Sequence, residues 1–413
     1  MYKFKVNLDQ KEYDDFIAKH SMISIMQERG WVQVKNNWDN VLVGLYKDEV
    51  LVATALLLIR NLALNVNLIY IPRGYTIDYT DSSLVKTFTG YLKDYAKERH
   101  AYCLKIDPLF CVTERSIKEN IEIPLNFSED YDKKHKVLLN NGYIHKGFKK
   151  NLAAYLQPRF NLAVPMIDKD NNFLDENTLR SKISRTTRNY IGNYHQKRGV
   201  YFTYSSDVKN IEAFYDIINM TEKRQHITLR SEDYFKRIIE AYKDNAQLCF
   251  AHVDLVKYIS FLESELEVGK NNVEDTKRQL DQAKGIKKEY GNDVITSVAL
   301  IISPSNNEGI RMMEYLYAGN NVEILPHLNT NVGLLFDIFK KCLDNKIHYC
   351  NLGGVGGALD DKLFVFKSKF NPVILEFVGE YDLPINKGIY KLFGVVMPIA
   401  KKVLKGVRYI IKR

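Results

Sequence analysis

The period of the apolar positions changes from segment to segment, and each change marks an element. Residues 11–20 and 82–100 carry apolar side chains at three- and four-residue spacing, which predicts helices with one buried face. Residues 41–46 and 50–58 are short apolar runs separated by Lys47-Asp48-Glu49, the signature of a hairpin. A strand over 67–72 ends at Pro72-Arg73-Gly74, and a buried strand over 101–106 stops at Asp107-Pro108. A similar order follows: strand 200–204, helices 211–224 and 234–242, strands 246–253, 294–302 and 312–318, helix 332–345, strand 349–353. Two α/β domains of like order are therefore expected, with no clear repeat at the level of residues. The first spans 1–150 and is completed by 385–413, and the second spans 151–384.

Three segments stand apart. From 256 to 290 the chain is charged and free of proline, with Ile259, Leu266, Val273 and Leu280 at seven-residue spacing and Leu262 and Ala283 at the intermediate position of the repeat. Gly269-Lys270-Asn271-Asn272 interrupts the run, so 256–291 reads as an antiparallel coiled-coil arm inserted in the second domain. One long kinked surface helix is the alternative. Residues 181–198 read as a basic helix carrying Lys182, Arg185, Arg188, Lys197 and Arg198, a face suited to RNA phosphates or simply to solvent. Residues 398–413 alternate lysine and arginine with Val403, Leu404, Val407, Ile410 and Ile411. A helix of this kind lies at a membrane surface or docks on the protein.

Composition narrows the class without naming a function. Among 413 residues, Lys+Arg exceed Asp+Glu by 59 to 50, a net charge of +9 that favours anionic partners. The five cysteines, Cys103, Cys111, Cys249, Cys342 and Cys350, are dispersed and form no CxxC pair, as expected of reduced core thiols rather than metal ligands. The N-terminus has no apolar signal-peptide core, and the runs at 50–58 and 294–302 are too short to span a bilayer. A cytoplasmic protein, peripheral on the inner face of the cell membrane, fits these features.

Motifs for nucleophilic, nucleotide or zinc chemistry are missing. There is no GxSxG elbow, no phosphate loop ending in Gly-Lys-Ser/Thr and no HExxH. The glycine-rich stretch Asn351-Leu352-Gly353-Gly354-Val355-Gly356-Gly357 follows a strand and reads as a tight turn.

A set of longer segments carries more. They are Met26-Gln27 with WVQVKNNW (31–38), IYIPRGYTIDY (69–79), KIDP (105–108), LQPRFNL (156–162) and KISRTTRNYIGNYHQKRGV (182–200). TEKRQHITLRSEDYF (221–235), YLYAGN (315–320), NLGG (351–354) and FKSKFNP (366–372) complete it. Together, from the N-terminus to about residue 390, they resemble the FemABX family of peptidoglycan-branching aminoacyl transferases, and within it the MurM type. The resemblance implies two GNAT-like domains, the second bearing the helical arm. It implies a reaction in which a stem-peptide lysine amine attacks the ester carbonyl of an aminoacyl-tRNA, with alanine or serine transferred in preference to glycine. The implied partners are aminoacyl-tRNA and lipid II or a UDP-linked muropeptide, with the basic C-terminal helix meeting the inner membrane surface. A monomer is expected, with no metal and no organic cofactor.

Residue roles follow from that resemblance and from chemistry. The ester is already activated, so orienting two substrates is worth about 7–11 kcal/mol of the barrier. A tetrahedral oxyanion and an amine proton remain to be managed. Lys367 is implied near the reacting centre, with Lys369 able to share or mimic its charge. Asp107, at a strand end, suits an acceptor ammonium or its proton, or else caps local amides. Lys35 is implied at the precursor phosphates, as are Arg230 and Tyr234, which project from one face if 230–234 is helical. Tyr315 and Tyr317, two apart on a strand, share a phase and bind the precursor or pack the sheet. Two rival readings stay open. One is an acyl-CoA-dependent N-acyltransferase, for which no good pyrophosphate loop is found; the other is a non-catalytic RNA- or membrane-binding scaffold.

Overall fold

The computed structural model describes residues 1–63, 65–117, 127–269, 272–305 and 308–395. The chain divides into two compact units, Met1–Thr113 with Pro124–Arg159 and Glu376–Arg413, and Glu114–Ile123 with Phe160–Leu375. The first unit begins β1 (Tyr2–Val6), α1 (Gln10–Ala18), α2 (Gly30–Val34), β2 (Asp39–Lys47), β3 (Val50–Ala63), β4 (Val66–Ile71), α3 (Ser82–Glu98) and β5 (Ala101–Ile106). The chain continues through β6 (Cys111–Ser116), which belongs to the second sheet, and then through α4 (Tyr131–Asn140) and β7 (Ile144–His145) of the first unit. The second unit opens with β8 (Phe160–Pro165), α5 (Glu176–Lys182), α6 (Arg185–Arg188), α7 (Asn193–Lys197), β9 (Val200–Ser205), α8 (Ile211–Gln225) and α9 (Glu232–Tyr242). Next come β10 (Ala246–Asp254), α10 (Leu255–Val268), α11 (Val273–Tyr290), β11 (Asp293–Ile302), β12 (Met312–Asn320), α12 (Thr330–Asp344), β13 (Tyr349–Val355), α13 (Lys362–Lys367) and β14 (Val373–Phe377). The chain then returns to the first unit with β15 (Tyr381–Pro384). This strand pairs with β5, so the return begins before residue 385, where the sequence pattern placed it.

The two sheets repeat one plan. The first has the order β1-β2-β3-β4-β5-β15-β7, and the second β6-β14-β8-β13-β12-β11-β10-β9. In each, four strands run antiparallel, one parallel pair follows (β4 with β5, β12 with β13), and an antiparallel strand lies beyond it. Two helices separate the first two strands of each run, and one long helix makes the parallel crossover. These are the two α/β domains of like order that the sequence pattern leads us to expect. The arm has a defined place in this plan: α10 and α11 stand between β10 and β11, where the first unit has only the Lys47–Val50 hairpin turn.

Local sequence explains the elements. Asp81 caps α3 by accepting from the Leu84 amide, and Leu84, Val85, Phe88, Leu92 and Tyr95 then fall on one buried face. Ser231 caps α9, which buries Tyr234, Phe235, Ile238, Ile239 and Tyr242. β3 is a central strand with Ala53–Leu58 buried on both faces, and so reads as a continuous apolar run. Each fully buried Leu, Phe or Ile of this kind stabilises by about 1.5–3 kcal/mol.

Two expectations change. The basic helix at 181–198 is three short helices, broken where Ser184 caps α6 and where Gly192 turns with φ of +67°. Arg198 is absorbed there, its guanidinium 3.9 Å from the Tyr194 ring centre and 4.4 Å from that of Phe261. In the arm, Leu262, Leu280 and Ala283 are buried between the two helices, with Glu263 paired to Lys284 at 2.9 Å. Val273 is 41% exposed, because it opens α11 and the seven-residue phase does not carry across the turn. Residues 398–413 lie outside the described residues. Among the described residues no helix is long and apolar enough to cross a membrane.

Candidate active site

In the first unit the segments WVQVKNNW, IYIPRGYTIDY and KIDP form one connected network. Lys35 stands just past α2, half-buried, with its ammonium 5.1 Å from the Trp31 ring centre. Its carbonyl accepts from the Trp38 amide at 2.9 Å, and the Trp38 ring lies 6.4 Å from that of Tyr70. The Tyr70 hydroxyl donates to Asp107 Oδ1 at 3.0 Å, and the Arg73 amide donates to the same oxygen at 2.7 Å. Asp107 therefore does not cap a local turn. It ties the end of β5 to the turn after β4, more than thirty residues away in sequence. Burial pushes its carboxyl up to about 6, against the lowering effects of the Arg73 charge and amide and the Tyr70 hydroxyl.

The Arg73-Gly74 turn is held from the other side by Gln27, whose Nε2 donates to the carbonyls of Arg73 (3.3 Å) and Gly74 (3.0 Å). Gly74 has φ of +77°, and a Cβ there would lie 2.4 Å from the Tyr79 hydroxyl and 3.1 Å from Pro108 Cα, so only glycine fits. Gln27, Tyr70 and Arg73 were not singled out from the sequence. Their signal was their presence inside the quoted motifs, with nothing to say which residues meet across the sheet. Beside this network Lys105, of the same KIDP motif, is half-buried between Glu380 (2.7 Å) and Asp382 (2.5 Å), and Lys146 pairs with Asp382 at 3.2 Å.

In the second unit the parallel pairing of β12 with β13 stops at Glu314–Asn351, although both strands continue. There β13 is bulged: Leu352 and Gly353 stand opposite Leu162 alone, between the pairs Asn351–Ala163 and Gly354–Asn161. The glycine-rich stretch is thus mainly strand rather than the expected tight turn. Gly353 has φ of +79°, and its open side faces Lys367 Nζ and the Tyr315 carbonyl, 3.8 and 3.9 Å from a built Cβ. Lys367, at the end of α13 and 9% exposed, donates to the Gly354 carbonyl at 3.0 Å. Burial lowers its pKa to about 8, with Asp361 opposing. Asp361 also caps α13 through the Phe364 amide (2.8 Å) and accepts from the Gly356 amide (2.6 Å). Lys369 is exposed beside Phe366, so the buried cation of FKSKFNP is Lys367.

Arg230, Tyr234 and Tyr317 form a second cluster in this unit. Arg230 precedes the Ser231 cap instead of lying on the helix, yet its guanidinium sits 5.2 Å from the Tyr234 ring centre. The Tyr317 ring lies 6.2 Å from that of Tyr234, and burial together with Tyr317 pushes the Tyr234 hydroxyl far above its ordinary range. Tyr315 is not part of this cluster. A bulge at Leu316, where Leu300 pairs with Tyr317 and Ile301 with Tyr315, breaks the shared phase. Tyr317 packs on Phe235 of α9 at 5.0 Å, while Tyr315 packs with the core that includes Phe339 of α12.

A cation held against a bulged glycine strand, and an arginine–tyrosine cluster on the neighbouring strand, suit an anionic ligand and an oxyanion better than a nucleophilic or metal-based reaction. Comparison with known proteins identifies the family. The model of the FemAB family matches residues 8–283 and 266–397. A lipid II:glycine glycyltransferase of Staphylococcus aureus (strain bovine RF122 / ET3-1) is 23% identical over 95% of this chain and 96% of its own. The aminoacyltransferase FemA of Staphylococcus epidermidis (strain ATCC 12228 / FDA PCI 1200) is 24% identical over 96% and 99%. The crystal structure of FemX superposes with a TM-score of 0.75 at 21% identity, covering 94% of this chain and 99% of that one, which shows the shared fold. With the family model matched along nearly its whole length, the chain belongs to the FemAB family and is an aminoacyltransferase.

Proposed function

We propose that this chain moves an aminoacyl group from aminoacyl-tRNA to the side-chain amine of a stem-peptide lysine on a peptidoglycan precursor, with lipid II as acceptor. The amine attacks the ester carbonyl, the C–O bond to the tRNA terminus breaks, and the departing oxygen takes up the proton that the amine loses. What supports the reading most is Lys367, an ammonium buried beside Gly353-Gly354, where it suits an oxyanion forming on the ester. Asp107 is assigned to the acceptor ammonium. The resemblance assigns Lys35, and separately Arg230 with Tyr234 and Tyr317, to precursor phosphates, and the Tyr315 carbonyl faces the open side of Gly353 beside Lys367. No metal or organic cofactor has a role in this scheme.

The names of the relatives specify glycine and lipid II. The MurM-like segments support a reading in which alanine or serine is transferred ahead of glycine, and the basic stretch 401–413 supports a lipid-linked acceptor ahead of a nucleotide-linked one. Purified protein given equal glycyl-, alanyl- and seryl-tRNA with lipid II tests both. Alanyl or seryl product is expected, and a glycyl product alone overturns the preference. Binding to anionic vesicles that is unchanged on removing 401–413 overturns the membrane assignment.

A further inference from the structure

The net charge of +9 is not spread along the chain. Residues 141–159 and 383–413 hold twelve of the 59 Lys and Arg and none of the 50 Asp and Glu. That leaves 47 basic against 50 acidic side chains elsewhere, so the whole positive excess lies in these two segments. Within the first unit the fold brings them together. Lys146 Nζ donates to the Tyr390 hydroxyl at 3.1 Å, and that hydroxyl donates to Asp382 Oδ2 at 2.9 Å. The Tyr155 hydroxyl donates to the Gly147 carbonyl, and the Leu156 amide donates to Glu380 Oε1 at 2.5 Å, which closes 147–156 into a loop. A helix opens at 387 and is described as far as 395. Asn386 caps it by accepting from the Ile389 amide at 3.0 Å, and Phe393 stacks on Tyr102 of β5 at 4.7 Å.

Both segments are pinned by polar bonds and still leave large apolar side chains in water. Phe148, Leu152 and Leu156 on the loop and Leu392 and Val395 on the helix are 39% to 65% exposed. Lys149, Lys150, Lys387 and Lys391 are exposed among them. The acids that hold the segments, Glu380 and Asp382, are buried and paired with Lys105 and Lys146. Charge and apolarity together select the partner. RNA would use the cations and gain nothing from exposed leucine and valine. An anionic bilayer uses both, with the cations at its headgroups and the apolar side chains at the acyl boundary. We propose that the loop 147–156 and the helix 387–395 form one face that docks on an anionic phospholipid surface. The inference rests on the lipid-linked acceptor, which lies in such a surface. It goes beyond the basic stretch 401–413 by placing a contact in a folded loop more than two hundred residues earlier in the chain.

The test uses the full chain with neither donor nor acceptor. Leu152→Cys carries an environment-sensitive fluorophore, since the five native cysteines are buried. Its emission is expected to shift to the blue on vesicles of phosphatidylcholine with phosphatidylglycerol, and to stay unshifted on phosphatidylcholine alone. Co-sedimentation with the mixed vesicles is expected to weaken about tenfold in Leu152→Ser/Leu156→Ser and at least about tenfold in Lys149→Glu/Lys150→Glu, with the melting temperature kept in both. An unshifted emission on the mixed vesicles overturns the proposal, as does sedimentation indifferent to both pairs of substitutions. Displacement from the vesicles by uncharged tRNA overturns it too, and would make the face an RNA surface. Vesicle binding is read without aminoacyl transfer, and transfer to a soluble nucleotide-linked acceptor is expected to survive the loop substitutions. Failure of this docking face and failure of the transfer reading are therefore seen separately.

Discussion

Replacing Lys367 by methionine separates the two effects of one side chain. Burial lowers its pKa from 10.5 to about 8, so the charged form weakens the fold by roughly 3 kcal/mol. A group whose folded value is depressed in this way destabilises fully below pH 8, and the effect fades as pH rises toward the unfolded value near 10.5. Methionine keeps the length and the apolar stem and has no charge. It gives up the bond to the Gly354 carbonyl, a loss of about 1–2 kcal/mol. The net expectation at pH 7 is a stability unchanged or raised by about 1–2 kcal/mol, with the gain shrinking between pH 8 and 10.5. Turnover is expected to move the other way, falling about a hundred- to a thousandfold if the ammonium holds an oxyanion. Thermal unfolding at pH 7 and pH 10, set beside single-turnover transfer at saturating substrates, reads both. A variant that loses activity and also melts several degrees lower at pH 7 would make Lys367 structural, and near-normal turnover would remove it from the reaction.

Other substitutions probe the remaining parts. Asp107→Asn is expected to leave the melting temperature at pH 7 unchanged or higher, because the buried carboxylate destabilises above its value of about 6. Its acceptor KM should rise, and the increase in acceptor affinity expected of wild type between pH 5 and 7 should disappear; an unaltered pH profile counts against the role. Gly74→Ala should cost about 2 kcal/mol or more in urea unfolding, since the left-handed turn and the Pro108 backbone leave no room for a Cβ. Tyr317→Phe should raise precursor KM about five- to tenfold with kcat kept, through loss of a hydroxyl that acts on Arg230 and Tyr234. Equal losses in kcat and kcat/KM would place Tyr317 in the reaction step instead.

Elements set by local signals were legible in the sequence. Lys47-Asp48-Glu49 marked the β2–β3 hairpin, the apolar spacing of 82–100 marked α3, and Asp107-Pro108 marked the end of β5. The repeated order of elements pointed to two like domains. What failed depended on single residues that break a period. Ser184 and Gly192 divide a basic stretch of helical composition into short turns. The bulge at Leu316 turns Tyr315 and Tyr317 to opposite faces of one strand. Val273 fits the heptad but opens a new helix after the turn. The site was half legible for a related reason. Lys367 and Asp107 stand in motifs with chemistry of their own, but Arg73, Tyr70 and Gln27 gain theirs only from contacts made more than thirty residues apart. Likewise, nothing in FKSKFNP distinguishes Lys367 from Lys369 until the first is buried against Gly354 and the second left in solvent.

Donor identity tests the central claim most directly. Purified protein is supplied with a lysine-containing lipid-linked precursor and either charged tRNA or acyl-CoA, and amide product on the precursor is followed by mass. Product formed with aminoacyl-tRNA, abolished by prior ribonuclease treatment and absent with acyl-CoA, is the predicted result. Product that appears only with acyl-CoA, or with neither donor, would contradict the account.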